Sequence, residues 1–208
     1  MVGLNPFFRG LLVFIPLIGL WFSRDSAGRR SRMMVGLLAS SAAVLISLGV
    51  QYSLPAHVRP YLDPSIHLHY YPVPDPAWGG RFDSFPSDTA TLFFAFSTII
   101  LLEHRLAGWL AFIWSVFTIG FARVALGIHY PSDVVGALIL GVVTVYLFSR
   151  IHPMAATAQR FLHRWEPRMY VVDACFTFFI AEAYVLFPGI RGLGHILNFA
   201  IKLLAGGH

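Results

Sequence analysis

An all-α membrane bundle is the fold class this sequence predicts: six transmembrane helices, with a short seventh segment that crosses or lies in the interface. Three observations carry the expectation. Only 12% of the 208 residues are charged and 57% are hydrophobic, whereas soluble domains run near 25% charged. The apolar residues gather in blocks approaching the roughly 20 residues that cross a bilayer, instead of alternating with polar ones. The basic residues, finally, cluster between those blocks, and mean hydropathy is +0.68.

The expected spans follow in order. Phe7–Phe22 has Arg9 near its start and is followed by Arg24 with no small-residue cleavage signal, so it reads as a retained span and not a signal peptide. Met33–Leu54, Thr89–Leu102, Ala107–Ala125, Ser132–Phe148 and Met169–Phe187 complete the six, and Leu193–Leu204 is the short seventh block. No internal repeat stands out, and residues 1–208 read as a single membrane domain.

Orientation comes from the short connections. The Ser23–Arg32 loop, the His104 turn and the Arg150–Arg168 segment share one side and hold nine of the fifteen basic residues. That side is expected to be cytoplasmic. The opposite side receives the N-terminus, the turn around Arg123–His129 and the long 51–88 loop, where Arg59 and Arg81 are balanced by Asp63, Asp75 and Asp83. This loop, rich in Pro, Tyr and Asp, is expected to cap a site on the extracytoplasmic face. Trp78 within it reads as an interfacial anchor, and Trp109 and Trp114 as lipid-facing or interhelical groups.

Several functions are disfavoured. The net charge of +5 forms no aromatic-interleaved basic patch, so nucleic acid is not an expected partner. Cys175 is the single cysteine, which excludes an internal disulfide and a cysteine-rich metal site. His67 and His69 with Asp63 make only a weak loop grouping, so no metal and no cofactor is expected.

Polar signals converge on the extracytoplasmic side. Arg59-Pro60 follows span two, Phe85-Pro-Ser-Asp-Thr89 opens span three, Arg123 closes span four, and His129-Tyr-Pro-Ser-Asp133 opens span five. Alternating passes of the chain bring all four to one face. Ser87 and Asp88, or Ser132 and Asp133, suit ordinary helix caps. Two helix N-termini beside Arg59 and Arg123 equally suit an anion such as phosphate. His129 and Asp133 are four apart, so the carboxylate can accept from one ring nitrogen and leave the other basic, as a histidine nucleophile needs.

These residues resemble a known family. Ala122-Arg123, five residues, His129, three residues, Asp133 resembles the third signature of the membrane branch of the type 2 phosphatidic acid phosphatase superfamily. Phe85-Pro86-Ser87-Asp88-Thr89 is similar to the second, normally Pro-Ser-Gly-His, with Pro-Ser-Asp-His in some bacterial members acting on polyprenyl diphosphates. Arg59-Pro60 is similar to the end of the first. The resemblance implies a metal-independent lipid phosphatase in which His129 forms a phospho-histidine, Asp133 orients it, and Arg59, Arg123 and the Ser87–Asp88–Thr89 region hold the phosphoryl oxygens.

Three positions depart from the family pattern. Tyr52 stands in place of the first-signature lysine, with Arg81 as a candidate replacement; Ala122 stands for a serine; Thr89 stands for the histidine expected to protonate the leaving oxygen. General-acid help is worth about 10²–10⁴ in rate when an alkoxide leaves. A departing phosphate, with a second pKa near about 6, leaves without it. The threonine therefore favours a diphosphate substrate. Asp88 is an alternative donor only if kept protonated, which close guanidinium groups oppose, and His67 or His69 is another.

The expectation is thus a phosphoryl-transfer enzyme in the bacterial inner (plasma) membrane, its site facing the periplasm or cell exterior, acting on a lipid-linked phosphate or diphosphate among membrane lipids. A lipid-linked phosphotransferase shares the same half-reaction. A non-catalytic lipid-phosphate binder is the alternative of another class, and a small transporter a further one, suggested by Asp173 and Glu182 in the sixth span.

Overall fold

The structure, a computed structural model, describes residues 6–23, 27–55, 57–66 and 84–184. These residues are helical with turns between, and no strand forms among them. The chain divides into two compact units, Met1–Arg164 and Trp165–His208. The Leu193–Leu204 segment, the end of the sixth expected span, and His67, His69, Trp78 and Arg81 lie outside the described residues.

In the first unit the helices are α1 (Pro6–Trp21), α2 (Ala27–Ser53), α3 (Asp88–Glu103), α4 (Arg105–Ser115), α5 (Ala122–Ala125), α6 (Pro131–Ser149) and α7 (His152–Trp165). A π-helical segment, Val116–Phe121, joins α4 to α5 without a break. The second unit contributes a short turn, Glu166–Arg168, and α8 (Met169–Tyr184), in which Asp173 and Glu182 are both partly buried. Gly28–Ser53, Arg105–Ala125 and Pro131–Ser149 are long and apolar enough to cross a membrane.

Two boundaries differ from the sequence expectation. α2 begins at Ala27 instead of Met33, taking Arg29, Arg30 and Arg32 into its first turns. Arginine is a good helix former, and the Ser31 hydroxyl donates to the Gly28 carbonyl at 2.9 Å. Much of the Arg150–Arg168 connection is likewise helical, as α7, whose Ala, Met, Gln, Leu and Arg content favours that state.

α3 is the centre of the unit and packs against α1, α2, α4 and α6. Its sequence is apolar all round, and every residue from Thr89 to Ile100 is buried. At 16 residues it is about 24 Å long, short for a lipid-exposed span but sufficient for a helix sheathed by its neighbours. Phe14 of α1 meets Phe93 and Phe96 edge-on, both at 5.7 Å between ring centres.

Close packing decides where α6 lies. A Cβ on Gly141 would sit 2.7 Å from the Thr91 carbonyl oxygen, and one on Gly136 would sit 2.6 Å from the Phe85 ring. Small residues let backbones approach where lipid supplies no hydrophobic drive between helices. Both glycines therefore serve close packing of α6. Trp114, an expected packing group, lies tilted against Phe8 at 4.7 Å between ring centres and donates from Nε1 to the Phe8 carbonyl at 3.0 Å. At one end of the bundle, Arg32 makes a two-pronged contact with Glu103 at 2.8 and 2.7 Å. The other end of α2, α3 and α6 holds the polar cluster.

Candidate active site

Gly127 shapes the loop that carries His129. It ends the helix in a left-handed conformation, φ 66°, which a residue with a Cβ rarely adopts. The Arg123 carbonyl accepts from the N–H groups of Ile128 and His129 at 3.0 and 3.3 Å, folding the chain back on the helix end. As a result the His129 Nε2 lies 3.1 Å from Nη1 of Arg123, six residues earlier. The preceding π-helical segment is a device often found beside functional residues, and it sets the register in which Arg123 emerges.

The other partners arrive from distant parts of the chain. Arg59 is extended, and Pro60 after it opens a short helical turn, Pro60–Leu62. The Tyr61 N–H donates to the Gly127 carbonyl at 3.0 Å, fastening this turn to the His129 loop. Arg59 Nη1 then lies 3.4 Å from both the Ile128 carbonyl and His129 Nε2. Ser87 caps α3, its Oγ accepting from the Ala90 N–H at 3.4 Å, and the same Oγ is 3.2 Å from His129 Nε2. The serine is thus both a cap and a member of the site. Its segment is held by the Pro86 carbonyl, which accepts from Gln51 Nε2 at 2.7 Å and Ser47 Oγ at 3.3 Å.

The far ring nitrogen is anchored differently. His129 Nδ1 lies 3.0 Å from the Ser84 carbonyl oxygen and 3.4 Å from Asp133 Oδ2. A carbonyl and a carboxylate can only accept, so Nδ1 carries the hydrogen and Nε2 the lone pair. Sequence spacing foresaw the Asp133 contact. The shorter one, to a backbone carbonyl 45 residues away in sequence, has no side-chain signature.

His129 is 1% exposed and Asp133 0%. Burial holds the His129 pKa below the ordinary histidine value, the Asp133 hydrogen bond opposes this, and the Arg123 and Arg59 charges reinforce the lowering. The imidazole is therefore neutral and nucleophilic near neutral pH. The Asp133 Oδ2 also accepts from the Tyr130 N–H at 2.9 Å, so the carboxylate caps its own helix while facing the histidine.

Asp88 and Thr89 occupy the edge. Asp88 Oδ1 accepts from the Thr89 N–H at 2.7 Å and from its hydroxyl at 3.3 Å. Arg81 lies outside the described residues, so its expected place in the site is not described. Sequence reading missed His57, whose Nε2 is 3.8 Å from Asp133 Oδ1. Its only signal was its position two residues before Arg59. Among the described residues no group of three or more His, Cys, Asp or Glu is placed to hold a metal ion.

A buried imidazole with one nitrogen anchored and the other facing two guanidinium groups and a helix-capping hydroxyl defines a site suited to a phosphoryl group. The pattern of the PAP2 superfamily matches residues 33–156, and the chain belongs to that superfamily, as its signatures implied. Undecaprenyl-diphosphatase BcrC of Bacillus subtilis (strain 168) is 30% identical over 135 residues, which are 64% of each chain, just under two thirds of that relative's length. Bacitracin transport permease protein BcrC of Bacillus licheniformis is 29% identical over 179 residues, 79% of this chain and 83% of the relative. Putative undecaprenyl-diphosphatase YbjG of Escherichia coli (strain K12) is 30% identical over 147 residues, 69% of each. No solved structure matches the chain.

Proposed function

We infer that the protein hydrolyses a polyprenyl diphosphate, or a related lipid phosphate, through a phospho-histidine intermediate on His129. The observation that carries this reading is the pose of the imidazole, with Nδ1 donating to Ser84 and Asp133 and Nε2 turned toward Arg59, Ser87 and Arg123. A phosphoryl group brought to Nε2 offers its oxygens to those same donors, which stabilise the charge that builds on them in the transition state.

The Nε2 lone pair then forms the N–P bond, and the bridging P–O bond breaks with its electron pair leaving on the lipid monophosphate. Asp133 offsets the positive charge that the ring acquires. Water next attacks phosphorus, breaks the N–P bond and releases inorganic phosphate. A glycolipid acceptor in place of water makes the same half-reaction a phosphotransfer.

Thr89 supports the choice of a diphosphate, because it supplies no strong acid for an alkoxide leaving group. Two of the three relatives are called undecaprenyl-diphosphatases, which points to the same substrate class. Six crossings, with the site at the outer or periplasmic face of the plasma membrane, accord with the arginine-rich connections at the opposite ends of the helices.

The test is phosphate release by purified protein in detergent from polyprenyl diphosphate, a lipid monophosphate and phosphatidylglycerol phosphate. The diphosphate is expected to react fastest, and His129→Ala to release none. Preference for a monoester overturns the substrate assignment, and a wild-type protein inert toward all three overturns the enzymatic reading.

A further inference from the structure

We propose that His57 is a positioning residue for the His129–Asp133 couple: seated on the outer oxygen of the Asp133 carboxylate, its imidazole sets how much of that carboxylate's charge His129 receives. The proposal rests on the functional reading above.

The geometry makes Asp133 a bridge between two imidazoles. Its Oδ2 faces His129 Nδ1 at 3.4 Å, while its Oδ1 faces His57 Nε2 at 3.8 Å and accepts from the Ser132 hydroxyl at 3.4 Å. The two histidines differ in surroundings: the His129 side chain is 1% exposed and that of His57 50%. His57 is also fixed in place. Its ring lies 4.9 Å from the Tyr130 ring, and its carbonyl accepts from the Ser84 N–H at 2.8 Å, next to the Ser84 carbonyl that anchors His129.

His57 borders a cavity of about 280 Å³ lined by Gln51, Leu54, Pro55, His57, Phe85 and Ser132. Half of the His57 side chain is exposed, so solvent reaches it directly. The charged or titratable groups around His57 include Asp133 and, beyond it, His129; Tyr130, whose hydroxyl donates to Asp63 at 3.2 Å; and Arg59 two residues along the chain. α2 presents the neutral Gln51.

The consequence follows from charge. Phosphorylation at Nε2 makes the His129 ring cationic, and the buried Asp133 carboxylate is its nearest negative charge. A neutral His57 brings no charge to compete with His129 for that carboxylate. A protonated His57 adds a positive charge on the opposite oxygen and weakens the support. The intermediate then forms more slowly as the medium is acidified.

The experiment compares wild type, His57→Gln and His57→Asn in detergent from pH 7.5 to 5.5, reading kcat and KM for polyprenyl diphosphate. In parallel, the His129 imidazole is titrated by NMR without substrate. The ratio of variant to wild-type kcat is expected to rise about three- to tenfold toward pH 5.5, the scale of one unit charge across a partly hydrated gap, with KM nearly unchanged. His129 should titrate at higher pH in the variants. A ratio that stays flat, an unmoved His129 titration, or equal loss of activity by both variants at every pH overturns the proposal. If wild type releases no phosphate while the His129 titration still moves, the functional reading falls and the coupling stands.

Discussion

The Arg123 Nη1 and His129 Nε2 lie 3.1 Å apart at the end of a helix that contains a π-helical segment. A fork of guanidinium nitrogens there can hold two phosphoryl oxygens at once, whereas an ammonium offers a single flexible point charge. Arg123→Lys is expected to lower kcat for phosphate release by about 10²-fold, with a smaller change in KM, because the lost contact tightens in the transition state. Steady-state kinetics on the diphosphate check this, and an unchanged kcat contradicts it.

The lowered pKa of His129 has a sign in stability. The unfolded chain takes up a proton at the ordinary value of 6.5, and the folded chain only below it. Between those two values the unfolded state binds more protons, so this residue makes stability fall as pH drops through 6.5, and contributes no slope well above it. The apparent melting temperature in detergent should therefore decline more steeply from pH 7.5 to 5.5 in wild type than in His129→Gln. Parallel declines would show that burial of this imidazole has no such cost.

Thr89 opens α3 beside Ser87, where its hydroxyl donates to Asp88. Thr89→His is expected to raise hydrolysis of a lipid monophosphate by about 10- to 10²-fold while changing the diphosphate rate little, since only the alkoxide needs a proton to leave. Relative kcat/KM on the two substrates provides the check. Equal effects on both would break the link between this position and the leaving group.

Gly141 sets the approach of α6 to α3. A Cβ there would sit 2.7 Å from the Thr91 carbonyl, so Gly141→Val must push the helices apart. A loss of about 1–3 kcal/mol in stability is expected from overpacking. The same displacement moves Ser87 away from His129, since α3 carries one and α6 follows the other. Thermal unfolding and phosphate release should fall together, while Gly49→Ala, with open space around its Cβ, should leave both intact.

Much of this was legible in the residues themselves. Blocks of apolar side chains announce helices because a backbone in lipid must satisfy its own hydrogen bonds, and α3 reads as buried because it is apolar on every face. Arg123, His129 and Asp133 were legible because they lie within eleven residues of one another, where spacing converts directly into proximity. Ser87 carried the local chemistry of a helix cap, which its Oγ does perform.

Contacts between distant segments were not legible. The Ser84 carbonyl on Nδ1 is a backbone group that any residue could supply, and His57 reaches Asp133 from 76 positions away only because the turn after it is pinned to Gly127. The π-helical register, too, leaves no mark in composition. The sequence by itself determined a helical membrane bundle and the local histidine–aspartate pair, since periodicity and short spacing act within a few turns of chain. Only the tertiary structure decided which nitrogen of His129 is free and which second imidazole shares its carboxylate, because a proton's location depends on partners that folding alone brings together.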